Sequence, residues 1–311
     1  MDKKEKFLSL LSEIEPRIYK YLKYLDSRII RAFMVREKTL LKVLAILMKN
    51  VLDMDFKKKV KTFWGRDIHV YLADQDASAL YFFNTLYGEE IKIIKFLIQN
   101  FKNDDIFYDI GANYGFYTLL AQEFITKGEI HAFEPSPKIF KLLRENSRLD
   151  IYKNTFLNEM ALSDKTGETE FFDREISGQS GGSSLIKHQN FLKYKVIKVK
   201  TTTLDDYISN HKPPTIMKID VEGGEPLVLK GALKLLKKYS PIIIMEFLPD
   251  DLHREAVNIL SNNGYRAFKI DNDGNLGIIN DQDLLRNDVP HEANYVFKKL
   301  KRNENLLYHK K

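Results

Sequence analysis

The sequence predicts an α/β chain built on a mostly parallel sheet, and three observations predict it. A short apolar run at 106–110 ends beside an acid and turns through two glycines into a periodic helix. A second apolar run ends in Glu134, 19 residues beyond Gly115. Further apolar runs then alternate with helical stretches out to residue 299, the pattern that stacks helices on a parallel sheet.

Residues 1–100 read as a helical extension, without glycine until Gly65. Phe7, Leu11, Ile14, Ile18, Tyr21 and Leu25 recur at four-three spacing on one face, with Pro16 starting or kinking the helix. Such a stripe either packs on the main domain or joins two copies as a homodimer, three heptads being close to the minimum for a coiled coil. A second amphipathic stretch runs 40–52, the segment 64–72 alternates as a strand does, and 91–101 is apolar at helical spacing.

Tyr108-Asp109-Ile110-Gly111-Ala112-Asn113-Tyr114-Gly115 is the strand-to-helix turn. Such a turn leaves free backbone N–H groups and the positive helix end facing one cleft, where an anionic or zwitterionic ligand sits. A dinucleotide site has Gly-x-Gly-x-x-Gly; here the glycines stand four apart and the third is missing. Glu134 is spaced to accept hydrogen bonds from both hydroxyls of a ribose. A lone glycine turn more often merely closes a βα connection, but both halves in order on one strand-helix-strand unit point to a nucleoside-bearing cofactor.

Further on, 137–148 reads as a helix with Pro137 in its first turn, and 155–162 as the third strand. Short strands at 168–174 and 195–202 flank Ser177-Gly178-Gln179-Ser180-Gly181-Gly182-Ser183-Ser184, a flexible connection or a lid. The fourth strand, 215–221, brings Asp220 and Glu222 to its carboxyl end, where open α/β sheets bind ligands; alternation puts both on one side. A helix at 225–239 leads to the fifth strand, 241–247, which carries Glu246 to the same edge. A helix at 252–262, a strand at 265–271, the turn Asp273-Gly274-Asn275 and a last strand at 293–299 complete the domain.

With 311 residues, 44% hydrophobic and 12% aromatic, the chain suits one main domain at 101–300, an extension at 1–100 and a basic tail at 301–311. The absence of cysteine excludes disulfides, thiolate zinc sites and cysteine nucleophiles, and suits a reducing compartment. The start has no apolar segment of signal-peptide length, and no run approaches the ~18 residues of a membrane span. A cytoplasmic location is therefore expected, with peripheral membrane contact left open. The net charge of +6, with basic runs at Lys57-Lys58-Lys59 and 298–302, reads as solvated surface or as a face for an anionic acceptor, membrane or RNA. The aromatic-interleaved basic motif of an RNA module is missing, which disfavours nucleic acid.

Five motifs in register, Asp109-Ile110-Gly111-Ala112-Asn113-Tyr114-Gly115-Phe116-Tyr117-Thr118, Phe133-Glu134-Pro135-Ser136-Pro137, Ala161-Leu162-Ser163-Asp164, Thr203-Leu204-Asp205-Asp206 and Lys218-Ile219-Asp220-Val221-Glu222-Gly223-Gly224-Glu225, resemble the FkbM-type methyltransferase family. The resemblance spans about 104–299. It implies S-adenosyl-L-methionine as donor and a class I methyltransferase fold, a Rossmann-like seven-stranded sheet whose last strand is antiparallel. On that fold Asp109, Gly111, Asn113 and Gly115 surround the amino-acid end of the cofactor, Glu134 holds its ribose, and Ala161 forms part of the wall under the adenine.

The acceptor is not implied. In-line methyl transfer needs alignment and exclusion of water, and a hydroxyl acceptor also benefits from a base. Asp220, Glu222 and Glu246 are the clustered catalytic candidates; such acids share a proton, meet a ligand amine or bind a cation such as Mg²⁺. His188 and His253 are rival bases, and His131 reads as core. Where the family often has histidine two residues past the strand-five glutamate, this chain has Leu248, so no role is carried over from that position. Without an Asn-Pro-Pro-Tyr-type tetrapeptide, oxygen is the favoured target. Acceptor choice is expected from 168–193 with the N-terminal helices, and the basic runs and tyrosines suit a sugar or glycolipid bearing an acidic group. A non-catalytic binding or scaffold protein and an RNA methyltransferase are the alternative functions.

Overall fold

The structure, a computed structural model, describes residues 2–25, 55–74, 76–86, 88–174, 183–187, 194–247, 250–279, 284 and 293–300. Helix α1 (Lys3–Leu25) runs through Pro16. Phe7 and Leu11 are buried in the core, and the Phe7 ring meets Phe63, Trp64 and Phe124 at 5.8, 5.8 and 5.0 Å. This half of the apolar stripe packs on the domain; the side chains of Ile18, Tyr21 and Leu25, and the whole stretch 40–52, lie outside the described residues.

The strand expected within 64–72 is present as β2 (Asp67–Tyr71), and it pairs antiparallel with a strand that was not expected, β1 (Lys57–Lys61). Its lysines looked like a loose charged run. On the hairpin they alternate around buried Val60, with Lys57 on Glu145 at 2.7 Å and Lys59 and Lys61 each 3.2 Å from Asp67. Helices α2 (Asp76–Phe83) and α3 (Glu89–Asn100) follow.

The main domain begins with β3 (Ile106–Ile110), α4 (Phe116–Phe124), β4 (Glu129–Phe133), α5 (Pro137–Ser147) and β5 (Thr155–Asn158). Next come β6 (Ala161–Leu162), β7 (Gly167–Asp173), β8 (Lys195–Thr202), α6 (Leu204–Tyr207) and β9 (Ile216–Ile219). The chain closes through α7 (Glu225–Lys230), α8 (Leu233–Lys238), β10 (Ile242–Phe247), α9 (Asp251–Asn262), β11 (Arg266–Ile270), β12 (Leu276–Ile278) and β13 (Ala293–Lys298). The large sheet has the order β12-β11-β13-β10-β9-β3-β4-β5. β5, β4, β3, β9 and β10 pair in parallel, and β13 is antiparallel to both neighbours. Every residue of β3 and β9 is buried, as near-continuous apolar runs require when helices cover both faces. This is the class I methyltransferase fold, with an eighth strand added to the expected seven. That strand, β12, exists because the Asp271 carboxylate accepts from the amides of Asp273 and Asn275 at 2.9 and 2.8 Å and folds the chain back on β11.

Two expected elements are broken. The third strand leaves the sheet after Asn158, and Ala161 pairs with Thr201 of β8 in a separate three-stranded sheet. The helix after Asp220 splits at Gly231, where a Cβ would stand 2.1 Å from the Ser163 carbonyl oxygen; the Gly231 carbonyl instead accepts from the Asp205 amide at 2.9 Å.

Candidate functional site

The carboxyl ends of β3, β4, β9 and β10 open on a cavity of about 380 Å³. Gly111 forms one side of it. With φ at +82°, a Cβ there would lie 1.8 Å from the Asp220 carbonyl oxygen, so only glycine lets the turn after β3 pass the turn after β9. The amides of Gly111 and Ala112 donate to the Phe133 carbonyl at 3.0 and 2.9 Å, locking this turn to the end of β4.

Glu134 follows, with its carboxyl fixed by the amides of Asn113 (3.0 Å) and Ser136 (2.9 Å). Burial pushes that carboxyl up to about 7 against those two hydrogen bonds, with repulsion from Asp173 and Asp109 added. Ala161 and Leu162 face it from β6. The expected residues Gly111, Asn113, Glu134 and Ala161 therefore line one cavity, and Asp109 and Gly115 do not. Asp109 is only 1% exposed and accepts from the Thr118 hydroxyl at 2.6 Å, so it fastens the first turn of α4 from beneath, and burial pushes it up to about 6. Gly115 is the left-handed residue capping α4, with Leu143 packed where a side chain would go.

Asp220, Glu222 and Glu246 meet where the ends of β9 and β10 reach the cavity, although not for the reason expected. β9 stops at Ile219, and Glu222 sits in a turn at φ +55°, an unusual conformation for glutamate. Turn geometry rather than strand alternation brings Asp220 and Glu222 to the same cavity. Burial pushes Glu246 up to about 9, reinforced by Asp220 and Glu222. Among the described residues, no group of three or more acids or histidines is arranged to hold a metal ion. The Mg²⁺ expectation gains no support, for a lysine already occupies the place of a cation: Lys218 Nζ is 2.5 Å from Asp220.

Three residues of this end were not assigned from sequence. Lys218 is buried beside Asp220 and lies 4.7 Å from the centre of the Tyr117 ring. Burial opposes its charge, but Asp220, Glu90 and Asp109 together hold its pKa above the ordinary lysine value. The Tyr117 hydroxyl donates to Glu90 of α3, which also accepts from Asn294 at 3.3 Å. Burial raises Glu90 as well. Lys218 had a signal, its place two residues before Asp220; the meeting of Glu90 and Tyr117 had none.

The rival bases stand elsewhere. His253 is buried between Asp250 (2.7 Å) and Glu225 (3.6 Å) and does not line the cavity. His131 is core, its ring 2.9 Å from the Tyr207 hydroxyl and its pKa lowered to about 4 by burial. His188, Leu248 and residues 177–182 of the glycine-serine stretch lie outside the described residues. Ser183 and Leu185, from the end of that stretch, line the cavity, and the Ser184 hydroxyl donates to the Val221 carbonyl at 3.1 Å. No helix among the described residues is long and apolar enough to cross a membrane.

Residues 109–267 match the family model described as the methyltransferase FkbM domain. A relative from Haloferax volcanii, the hexuronic acid methyltransferase AglP, is 28% identical over 173 residues, which cover 55% of this chain and 67% of that protein. The crystal structure of methyltransferase FkbM from Methylobacillus flagellatus aligns at TM-score 0.40 and 16% identity over 64% of this chain; the chain spans only 44% of that protein. An O-methyltransferase from Bacillus cereus, in complex with SAH, aligns at TM-score 0.40 and 14% identity over 70% of this chain and 82% of that one.

Proposed function

Because the chain belongs to the FkbM methyltransferase family, we propose that it is an S-adenosyl-L-methionine-dependent O-methyltransferase acting on a hydroxyl of a sugar, a glycolipid or a comparable natural product. The observation that carries this reading is a single cavity lined both by a glycine turn with a buried glutamate and by a set of carboxylates.

The donor end fits the cofactor. Gly111 offers bare backbone to a close ligand, since a side chain would collide with Asp220. Glu134 turns a buried carboxyl into the cavity, held by the backbone amides of Asn113 and Ser136, and its remaining lone pairs suit a ribose diol. Asn113 would meet the amino-acid end and Ala161 the base. When bound, S-adenosyl-L-methionine supplies a methyl carbon on a sulfonium sulfur, which keeps the S–C electron pair as the acceptor oxygen bonds to that carbon. The residues at the far end hold the hydroxyl in line and take its proton. Asp220, salt-bridged to Lys218, is the carboxylate placed to accept it, whereas Glu246, pushed up to about 9, carries its own proton near neutrality and donates. Oxygen as target follows from these oxygen-rich surroundings and from the missing tetrapeptide of amide and amine methylases. The named acceptor of the Haloferax volcanii relative supports a sugar as the class.

Titration calorimetry on the full chain, followed by label transfer from donor to hydroxylated sugars, tests the reading. Glu134→Ala should weaken donor binding by about 1.5–3 kcal/mol, roughly 10–150-fold, through lost charge-assisted hydrogen bonds. Tighter binding of NAD than of S-adenosyl-L-methionine would overturn the cofactor assignment. Donor binding without turnover on any acceptor would favour a binding or scaffold role, and transfer to RNA a third class.

A further inference from the structure

Resting on that reading of the cavity as a methyl-transfer site, we propose that the acceptor presents an uncharged, hydroxyl-rich ring, of neutral hexose type, and that Glu90 is a specificity-determining residue that turns acidic sugars away. The carboxylates of Glu90, Asp220, Glu222 and Glu246 all line the cavity. Lys218 is the one cation among the described lining residues, and it is engaged, with Nζ 2.5 Å from Asp220 and facing the Tyr117 ring at 4.7 Å. An acceptor carboxylate or phosphate placed beside the reacting hydroxyl would face these acids with no free cation among the described lining residues to meet it. Lys57, Lys59 and Lys61, part of a basic run that suggested an acidic acceptor, are held on the hairpin by Glu145 and Asp67.

A cationic acceptor fits no better. Lys218 already holds the place of a positive charge against Asp220, and Glu246, pushed up to about 9, keeps its proton near neutrality, so a further ammonium finds its place taken while Glu90 and Glu222 still face an incoming anion. That chemistry suits ring hydroxyls. Ala79, Leu80 and Leu86, from the same N-terminal segment as Glu90, add an apolar wall for the carbon face of a ring. The hydroxyl proton leaves to Asp220 as the oxygen gains the methyl carbon.

The test gives the full chain labelled donor with matched methyl hexosides, hexuronides and amino-hexosides, together with a carbohydrate extract split by anion exchange. Label is expected in the neutral series and fraction, with kcat/KM at least about tenfold above the hexuronides, since like-charge juxtaposition is strongly disfavoured. Glu90→Lys should narrow or invert that ratio, and the milder Glu90→Gln should narrow it in the same direction. Donor calorimetry on each variant reports folding separately from acceptor choice. Equal or better use of hexuronides, preferential labelling of amines, an unchanged ratio in donor-binding Glu90→Lys, or no neutral labelling while donor binds would each overturn the proposal. Failure of the parent chain to bind donor would refute the methyl-transfer reading instead, and the proposal with it.

Discussion

Replacing Lys218 by methionine keeps most of the apolar stem and removes the ammonium from the cavity wall. Three losses follow. The ion pair with Asp220 joins a lysine side chain only 4% exposed to an aspartate 34% exposed, and such a half-sheltered pair contributes about 1–2 kcal/mol. The contact over Tyr117 at 4.7 Å contributes about 1 kcal/mol more. Buried Asp109 loses the positive neighbour that helps hold it near 6, worth about 1 kcal/mol. The expected deficit is thus about 3–4 kcal/mol at pH 7, read from urea unfolding as a lower midpoint with the slope unchanged. Lys218 itself, with its folded pKa raised, contributes fully below the unfolded lysine value and does not titrate between pH 5 and 9. The carboxylates do. In the variant Asp109 and Glu90 rise further above their unfolded values, so the folded state binds more protons and stability falls as pH climbs from about 4 through the folded values. At pH 5 the deficit should shrink to about 2–3 kcal/mol, because Asp109 is then mostly protonated while the other two losses remain. A deficit below 1 kcal/mol at pH 7, or one as large at pH 5, would refute the role given to Lys218.

Donor affinity should itself depend on pH. Glu134 accepts from the ribose as the carboxylate but sits at about 7 in the empty site, so affinity should rise through pH 7, weakening up to about tenfold per unit below it. Calorimetry from pH 5.5 to 8.5 reads this, and a profile as flat as that of Glu134→Gln would remove Glu134 from the donor site. Gly111→Ala forces a left-handed φ on alanine and a Cβ onto the Asp220 carbonyl, which should cost about 3 kcal/mol or more of stability. Unfolding within 1 kcal/mol of the parent would mean that the two turns do not approach as described.

The glycine-turn half of the cavity was legible in sequence because its determinants are local. Gly111, Asn113 and Glu134 lie within one strand-turn-helix-strand unit, where glycine spacing and strand ends fix what faces the cleft. Asp109, in the same unit, is a strand residue one step before the turn and accepts from Thr118 instead of lining the cavity. The far end was half legible. Asp220, Glu222 and Glu246 stand at strand ends, but Glu90 and Tyr117 meet across a helix packing that no periodicity encodes. The departure of Ala161 into a second sheet was hidden because the apolar run through 162 continues past the break. The β1 lysines concealed a strand, since Val60 alone marks its inner face.

The glycine-turn part of the cavity lining is drawn from one contiguous stretch, from Gly111 to Leu162, whereas the rest comes from Ala79 to Glu90 upstream and from Phe171 onward downstream. The two parts are thus separable in inheritance. Drift or exchange in the flanking stretches can reshape the cavity while the glycine-turn unit is copied unchanged. The same arrangement defeats a cut at residue 101: trimming the chain there would excise Glu90 and three wall residues with it, leaving a fragment with its glycine turn in place but a cleft open to bulk water on the side where the reaction must stay dry.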